Sequence, residues 1–483
     1  MRRPEINSNN HGGKSSPCPG FVQTSREITF ARQPRRCAAG GEAIFQCPVK
    51  NIFPTMFSMT SKAPSRSIEL MAPAGSWASL SAALNAGAGA VYFGVGKMNM
   101  RARSANNFLA GDLGEIVAKC HGHGARAYLT LNTILFDGEL DEAGSLCRMA
   151  KEAGVDALIG ADLAVLQIAR AEGLPIHLSV QANVTNLAAV QFFATFADVI
   201  VLARELSLDQ IRDIIEGIRK NRIVGPSGHP VQIEIFAHGA LCVAFSGKCQ
   251  MSLSLYGPKA SANRGACFQP CRRNYLVTDQ ETGEELAIDG HQVMSPKDLC
   301  TLPFLDQILD AGVSVLKLEG RGRSADYVST VVRVYREAID AWKDGSFAAK
   351  RESGEWMVEL EKVFHRGFWE GGYYLGKPLG DWAATSNSQA TEKKTFAGEI
   401  TKYSARIGVA EVHVRAGAVR VGDEVWILGN TTGAVRAKVT ELHVGEDGRP
   451  VAEAEQGVLA SFPVPEKVRA GDQLYLITAA VAA

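Results

Sequence analysis

Four of the chain's ten cysteines fall within thirty residues, inside the stretch FAHGALCVAFSGKCQMSLSLYGPKASANRGACFQPCRR from Phe236 to Arg273. Cys242 and Cys249 are seven residues apart, and Cys267 and Cys271 are four apart, eighteen residues further on. Thiols gathered like this, in a chain that shows no secretory signal, suit metal ligation better than a disulfide framework. Zinc favours tight knuckles with two to four residues between cysteines. Only the second pair fits that spacing, and the first is too open for a zinc ribbon. All-thiolate ligation at irregular spacing suits an iron–sulfur cluster better. A zinc site and ordinary buried thiols are the alternatives. The same loop carries Lys248, Lys259, Arg264, Arg272 and Arg273. That basic rim suits RNA phosphate or an anionic small molecule, and its bland reading is a solvated charged loop.

The chain has 483 residues, 46% hydrophobic and 21% charged, enough for two or three domains of a soluble globular protein. No run of eighteen apolar residues occurs, so no transmembrane helix is expected. The formal net charge is zero, but it is unevenly spread. Residues 1–66 hold ten Lys or Arg against three Asp or Glu, which leaves the remainder with seven more acidic than basic side chains. Any RNA contact must therefore rest on a local patch. The first 66 residues show no sustained hydrophobic period, and they are expected to be a disordered extension or a mis-called start.

From Ile68 short apolar runs alternate with amphipathic stretches. The strand candidates are 68–73, 90–95, 125–132, 157–162, 176–183, 199–205, 231–238 and 314–320. Strands buried on both faces read as near-continuous apolar runs, and helices between them enforce parallel pairing. Eight such units predict a (β/α)8 TIM-like barrel over residues 67–345, with the cysteine-rich loop as an insertion. An open doubly wound sheet is the alternative, though no GxGxxG follows the first strand. The amphipathic stretch 325–342 is expected to close the barrel. Residues 346–390 read as a helical or irregular linker. Beyond 391 the period shifts to two, which predicts a small antiparallel β-barrel to the end of the chain.

Active sites of such barrels lie at the C-terminal ends of the strands. The polar residues there include Asn132, Gln181, Asn183, Arg204, Glu205, His238, Lys317, Glu319 and Arg321. His238 is a candidate acid–base group or a support for the cysteine site, with a satisfied buried histidine as its bland reading. Glu319 is a candidate base or polar anchor. Cys120 and Cys147 fall in helical stretches and read as small core residues.

The segment EIFAHGALCVAFSGKCQMS followed by NRGACFQPCRR resembles the signature of the collagenase-like peptidase family of unassigned catalytic type. The segments IELMAPAGS, HLSVQANVTN, ARELSL, VMSPKDL, LKLEGR and HRGFWEGG match in the same order, so the likeness covers nearly all the chain from about residue 68. Within the family the chain looks most like the branch that hydroxylates tRNA uridine at carbon 5. The resemblance implies a [4Fe–4S] cluster on Cys242, Cys249, Cys267 and Cys271, with Cys300 as the reserve fourth ligand. It also implies prephenate, a dicarboxylate, as oxygen source, tRNA as macromolecular substrate, no membrane partner and a cytoplasmic setting. Arginine suits bidentate carboxylate binding. Arg204 at the catalytic centre and Arg321, Arg264, Arg272 and Asn183 around the substrate are the candidates, with Arg101 or Arg103 also in reach. An ion-pair partner at the rim is the bland alternative for each. Other readings are hydroxylation of ribosomal RNA or a quinone precursor, a zinc-containing RNA-binding module without catalysis, and the proteolysis that the family name suggests. Neither GxSxG nor HExxH occurs. A Cys242–His238 pair would be the nucleophile and base, but a Cys242 that ligates a cluster cannot also attack a peptide.

Overall fold

Eight apolar runs pair side by side as a closed parallel barrel in the computed structural model. The strands are β1 (Glu69–Ala74), β2 (Ala90–Gly94), β3 (Arg126–Leu131), β4 (Ala157–Gly160), β5 (Ile176–Leu178), β6 (Val199–Val201), β7 (Gln232–Gly239) and β8 (Val315–Leu318). Each pairs with its neighbour, and β8 bonds to both β7 and β1, which closes the cylinder as the sequence predicts. The structure describes residues 67–103, 107–245, 248–288, 294–370, 372–376, 382–383, 387–445 and 447–480. The extension 1–66 lies outside them.

Helices begin where a side chain can take up an orphan backbone N–H. Ser76 and Ser79 form a reciprocal cap on helix Trp77–Asn85, and Ser207 and Gln210 do the same on Leu208–Asn221. Asp162 and Asn186 cap the helices that follow β4 and lead into β6. Helix Ala325–Asp344 buries one face, including Val328, Val331, Tyr335 and Ile339, against the barrel.

The barrel interior is mostly apolar, but it holds one ionic cluster. Lys317 Nζ donates to Glu234 Oε1 at 2.9 Å, and His177 Nδ1 lies 3.5 Å from Glu234 Oε2. All three side chains are buried. Charges taken out of water like this survive only when paired, since removing one partner leaves the other uncompensated.

Two features depart from expectation. The described parts of segment 346–390 are helical and irregular as expected, but one of them is also bonded into the barrel sheet. Strand Asp298–Cys300 runs antiparallel to β7, and Phe368–Glu370 pairs with it in turn. Trp369 is buried, and Tyr374 donates its hydroxyl to the Phe236 carbonyl at 2.9 Å. The C-terminal residues form an eight-stranded antiparallel sheet around their own apolar core of Val412, Ile427, Phe462 and Leu474. Among the described residues no ladder joins its edge strands, Gly433–Lys438 and Arg449–Pro450, so hydrogen bonding leaves the expected barrel open. Both sheets lie within one compact unit, Ala63–Ala483. No described helix is long and apolar enough to cross a membrane.

The C-terminal sheet docks on helix Trp77–Asn85. Ser81 donates its hydroxyl to the Asn430 carbonyl, and Asn85 Nδ2 donates to Thr432 O at 3.1 Å. Gly433, with φ of 77°, comes so close that a Cβ there would lie 2.7 Å from the Ala82 amide nitrogen. Gly417 has a similar φ of 65° but open space around it. Gly433→Ala and Gly417→Ala should therefore share a backbone cost of about 1–2 kcal/mol. Gly433→Ala should lose roughly a further 1–3 kcal/mol from overpacking. Equal urea midpoints for the two variants would contradict this docking.

Candidate active site

A cavity of about 320 Å³ opens at the C-terminal ends of the strands, in the size range of small-molecule sites. Its floor is Tyr92 of β2, Thr130 of β3, Phe236 of β7 and Lys317 of β8. The loops after β2, β5, β6 and β8 and the cysteine loop form its walls.

Seven cationic side chains line this space, Arg101, Arg204, Arg272, Lys317, Arg321, Arg323 and Arg366, against the single carboxylate of Glu319. Arg101 Nη2 meets Glu319 Oε1 at 2.6 Å. Burial alone would raise the Glu319 carboxyl, but Arg101 and Arg323 beside it hold it down at about 2. Arg321 Nη1 donates to Asn99 Oδ1 and to Thr130 Oγ1, each at 3.0 Å, and burial pushes its guanidinium down to about 10. Room for that guanidinium comes from Gly94, where a Cβ would sit 2.4 Å from Arg321 Nη1. Arg272 donates to Leu241 O at 2.9 Å and to Ser295 Oγ at 3.1 Å. Arg323 lies 3.4 Å over the Phe364 ring, and Arg204 lies 4.0 Å over Phe236. The buried Nε atoms of Arg204 and Arg366 have no hydrogen-bond partner among the described residues. Burial also lowers Arg272 and Arg323. An anion entering this crowd relieves repulsion and satisfies idle donors together.

Cys242, Cys249, Cys267 and Cys271, all free thiols, line the same cavity, with Arg101 near Cys267 and Arg272 near Cys271. Burial pushes the Cys271 thiol up to about 11 and raises Cys267 as well. Among the described residues no three His, Cys, Asp or Glu side chains are close enough to grip one metal ion. A single tetrahedral zinc, with Zn–S near 2.3 Å, needs thiolates about 3.8 Å apart. Cys242, Cys249 and Cys267 each act on Cys271, and Cys242 and Cys249 on Cys267, so the four thiols lie near one another. Their donor chemistry, four sulfurs and no carboxylate or imidazole, fits an iron–sulfur cluster.

The cysteine loop is fastened to the barrel from several sides. Gly265, with φ of 74°, lies against the loop after β2, and a Cβ there would be 2.1 Å from Asn99 O. Ile134 N donates to Asn263 O at 3.2 Å. Arg264 donates to Ile134 O at 2.9 Å and grips Glu139 with two nitrogens, at 2.8 and 2.5 Å.

These contacts revise several expectations. Arg264 does not line the cavity: it is a strut between the loop and Glu139. His238 is also off the wall. It is buried between Tyr327, Tyr335 and Phe368, and burial pushes its ring down to about 3. A ring that stays neutral and enclosed is unsuited to proton transfer near pH 7. Asn183 takes a left-handed φ of 56° closing the turn Val180–Ala182 and does not reach the cavity. Cys300 is fully buried, 4.0 Å from both Tyr335 Oη and Met357 Sδ, and is not on the wall with the other thiols. Glu319, Arg204, Arg321 and Arg272 do line it. Arg323 and Arg366 were missed. Their only sequence signal was position, just after LKLEGR and inside HRGFWEGG.

Two outcomes follow from this geometry. His238 charges near its ordinary value of 6.5 when unfolded but only near 3 when folded. Since the folded value is the lower, stability is complete above pH 6.5 and is lost as pH falls toward 3. Wild type should lose about 1.4 kcal/mol per pH unit from this residue below that point, and His238→Gln should lack that slope in urea unfolding. Gly94→Ala should displace Arg321 and weaken binding of small dicarboxylates at least tenfold by calorimetry, with little change in the far-UV spectrum. Unchanged affinity would remove Arg321 from the anion site.

Known proteins share much of this sequence. The chain is 48% identical over 407 residues to a protein named collagenase from Porphyromonas gingivalis, covering 84% of this chain and 97% of that one. It is 36% identical over 326 residues to a 23S ribosomal RNA 5-hydroxycytidine synthase of Escherichia coli, covering 66% of this chain and 47% of the other. It is 34% identical over 307 residues to a tRNA hydroxylation protein of Bacillus subtilis, covering 62% and 69%. The model of peptidase family U32 matches residues 75–384, which is most of the barrel and its cysteine loop, and the chain belongs to that family.

Proposed function

We propose that the chain hydroxylates RNA, with a tRNA wobble uridine as substrate and 5-hydroxyuridine as product. In this reading Cys242, Cys249, Cys267 and Cys271 hold a [4Fe–4S] cluster, and prephenate is the oxygen source. The observation that carries it is the cavity itself, lined by four free thiols and seven cationic side chains, three of them paired with the carboxylates of Glu319, Glu234 and Asp298. When bound, the cluster would supply electron-transfer chemistry that redox-inert zinc does not. The protein's own side chains bind and orient. Arg321, fixed by Asn99 and Thr130, and Arg101, fixed by Glu319, would take the carboxylates of a small dicarboxylate in this reading. Lys317, held by Glu234 and lying 4.6 Å over the Tyr92 ring, adds a fixed positive charge beneath it. Relatives named for RNA hydroxylation, one acting on tRNA and one on ribosomal RNA, support the reaction class.

Proteolysis has one observation in its favour, the 48% identity to a protein named collagenase. The cavity gives it poor equipment. No histidine or aspartate is among the lining residues, and Glu319, held at about 2, takes no proton near neutral pH.

The test is expression in a bacterial host lacking its own tRNA hydroxylation protein, with nucleosides read by mass spectrometry. We expect 5-hydroxyuridine in tRNA digests, and about four irons and four sulfides per chain in protein purified without oxygen. Both should be lost in each of Cys242→Ala, Cys249→Ala, Cys267→Ala and Cys271→Ala and kept in Cys300→Ala. Arg321→Lys should keep the iron and lose more than tenfold in product. Hydroxycytidine in ribosomal RNA instead would move the substrate. One zinc without sulfide, together with gelatin cleavage, would overturn the reading.

A further inference from the structure

The cysteine loop exposes rings that the cavity chemistry does not use. Tyr256 ends the short helix Met251–Tyr256 and is 40% exposed, and Phe268, beside Cys267, is 39% exposed. Their rings meet edge to face at 5.3 Å. Arg103 lies over Phe268 at 5.7 Å and Arg273 over Tyr256 at 5.2 Å, so the order along the rim is guanidinium, ring, ring, guanidinium. The Phe268 backbone is pinned by its amide, which donates to Ser252 Oγ at 3.0 Å. Across a neighbouring hollow, Phe136 is 62% exposed under the guanidinium of Arg264, 4.2 Å away. From Cys242 to Arg273 the loop carries five Lys or Arg and no Asp or Glu.

We propose that the Tyr256–Phe268 rim is a stacking platform for the unpaired bases of an RNA loop. It rests on the RNA reading above and deepens it by assigning where the strand is held. A reacting base must leave its stack to reach a cavity of about 320 Å³, so the bases on either side need something else to stack on. Exposed rings flanked by guanidiniums match the alternation of base and phosphate in a single strand. Carboxylate-free basic sequence around them favours a polyanion over a protein surface of mixed charge. A duplex offers no free base faces and gains nothing from these rings.

The test uses protein purified without oxygen, a fluorescein-labelled RNA stem-loop, and the blunt duplex of the same stem, with binding read by anisotropy across a salt series. Phe268→Ala and Tyr256→Ala should each weaken stem-loop binding about ten- to a hundredfold. Duplex binding and the salt slope should stay unchanged, because no phosphate contact is lost. Phe268→Trp should restore affinity, and Arg273→Ala should reduce the slope by about one. Tyr256 is seven residues from the nearest cysteine, whereas Phe268 adjoins Cys267, so the Tyr256 variant keeps the test decisive even if Phe268→Ala disturbs Cys267. Wild-type affinity in both alanine variants overturns the platform and leaves the RNA reading standing. A wild type that binds neither RNA overturns both, and the rim then belongs to a protein interface.

Discussion

The ion pair between Glu319 and Arg101 ties the two sides of the site together. Glu319 ends the last barrel strand, and Arg101 sits on the loop after β2, beside the residue whose carbonyl touches Gly265 of the cysteine loop. Removing either partner would leave a poorly solvated charge, at a cost of about 3–5 kcal/mol by analogy with other buried pairs. Glu319 is the only acidic side chain among the cavity's lining residues, while Glu234 and Asp298, outside the lining, pair with Lys317 and Arg366.

That imbalance decides what the site can do. Arginines on rigid supports bind and orient anions, but they neither accept nor donate protons near neutral pH. With His238 enclosed and Glu319 locked as a carboxylate, proton transfer has no obvious resident agent. In the proposed function, reactivity would come from the group that the thiols hold and from the bound anion. The residues around it fix positions and shut out competing geometry.

Much of this was legible in the sequence, and the reasons are physical. The eight barrel strands stood out because strands covered on both faces must be apolar almost throughout, and all eight formed where the runs lay. The cysteine loop stood out because thiols are rare and spacing carries chemistry. Partners were harder to read. Nothing local says that Arg264 spans to Glu139, a hundred and twenty-five positions away, rather than facing substrate. The burial of His238 depends on Tyr335, and on Phe368 from a segment that reads as linker. Arg323 and Arg366 reach the cavity through packing on Phe364, a tertiary contact without sequence periodicity.

All four thiols belong to one excursion between β7 and the strand Asp298–Cys300, while the barrel closes through β8 and β1 using none of them. Assembly of the scaffold and filling of the site are therefore separable events. A cofactor delivered by other proteins would meet a finished receptacle, and damage at the thiols would call for repair rather than resynthesis.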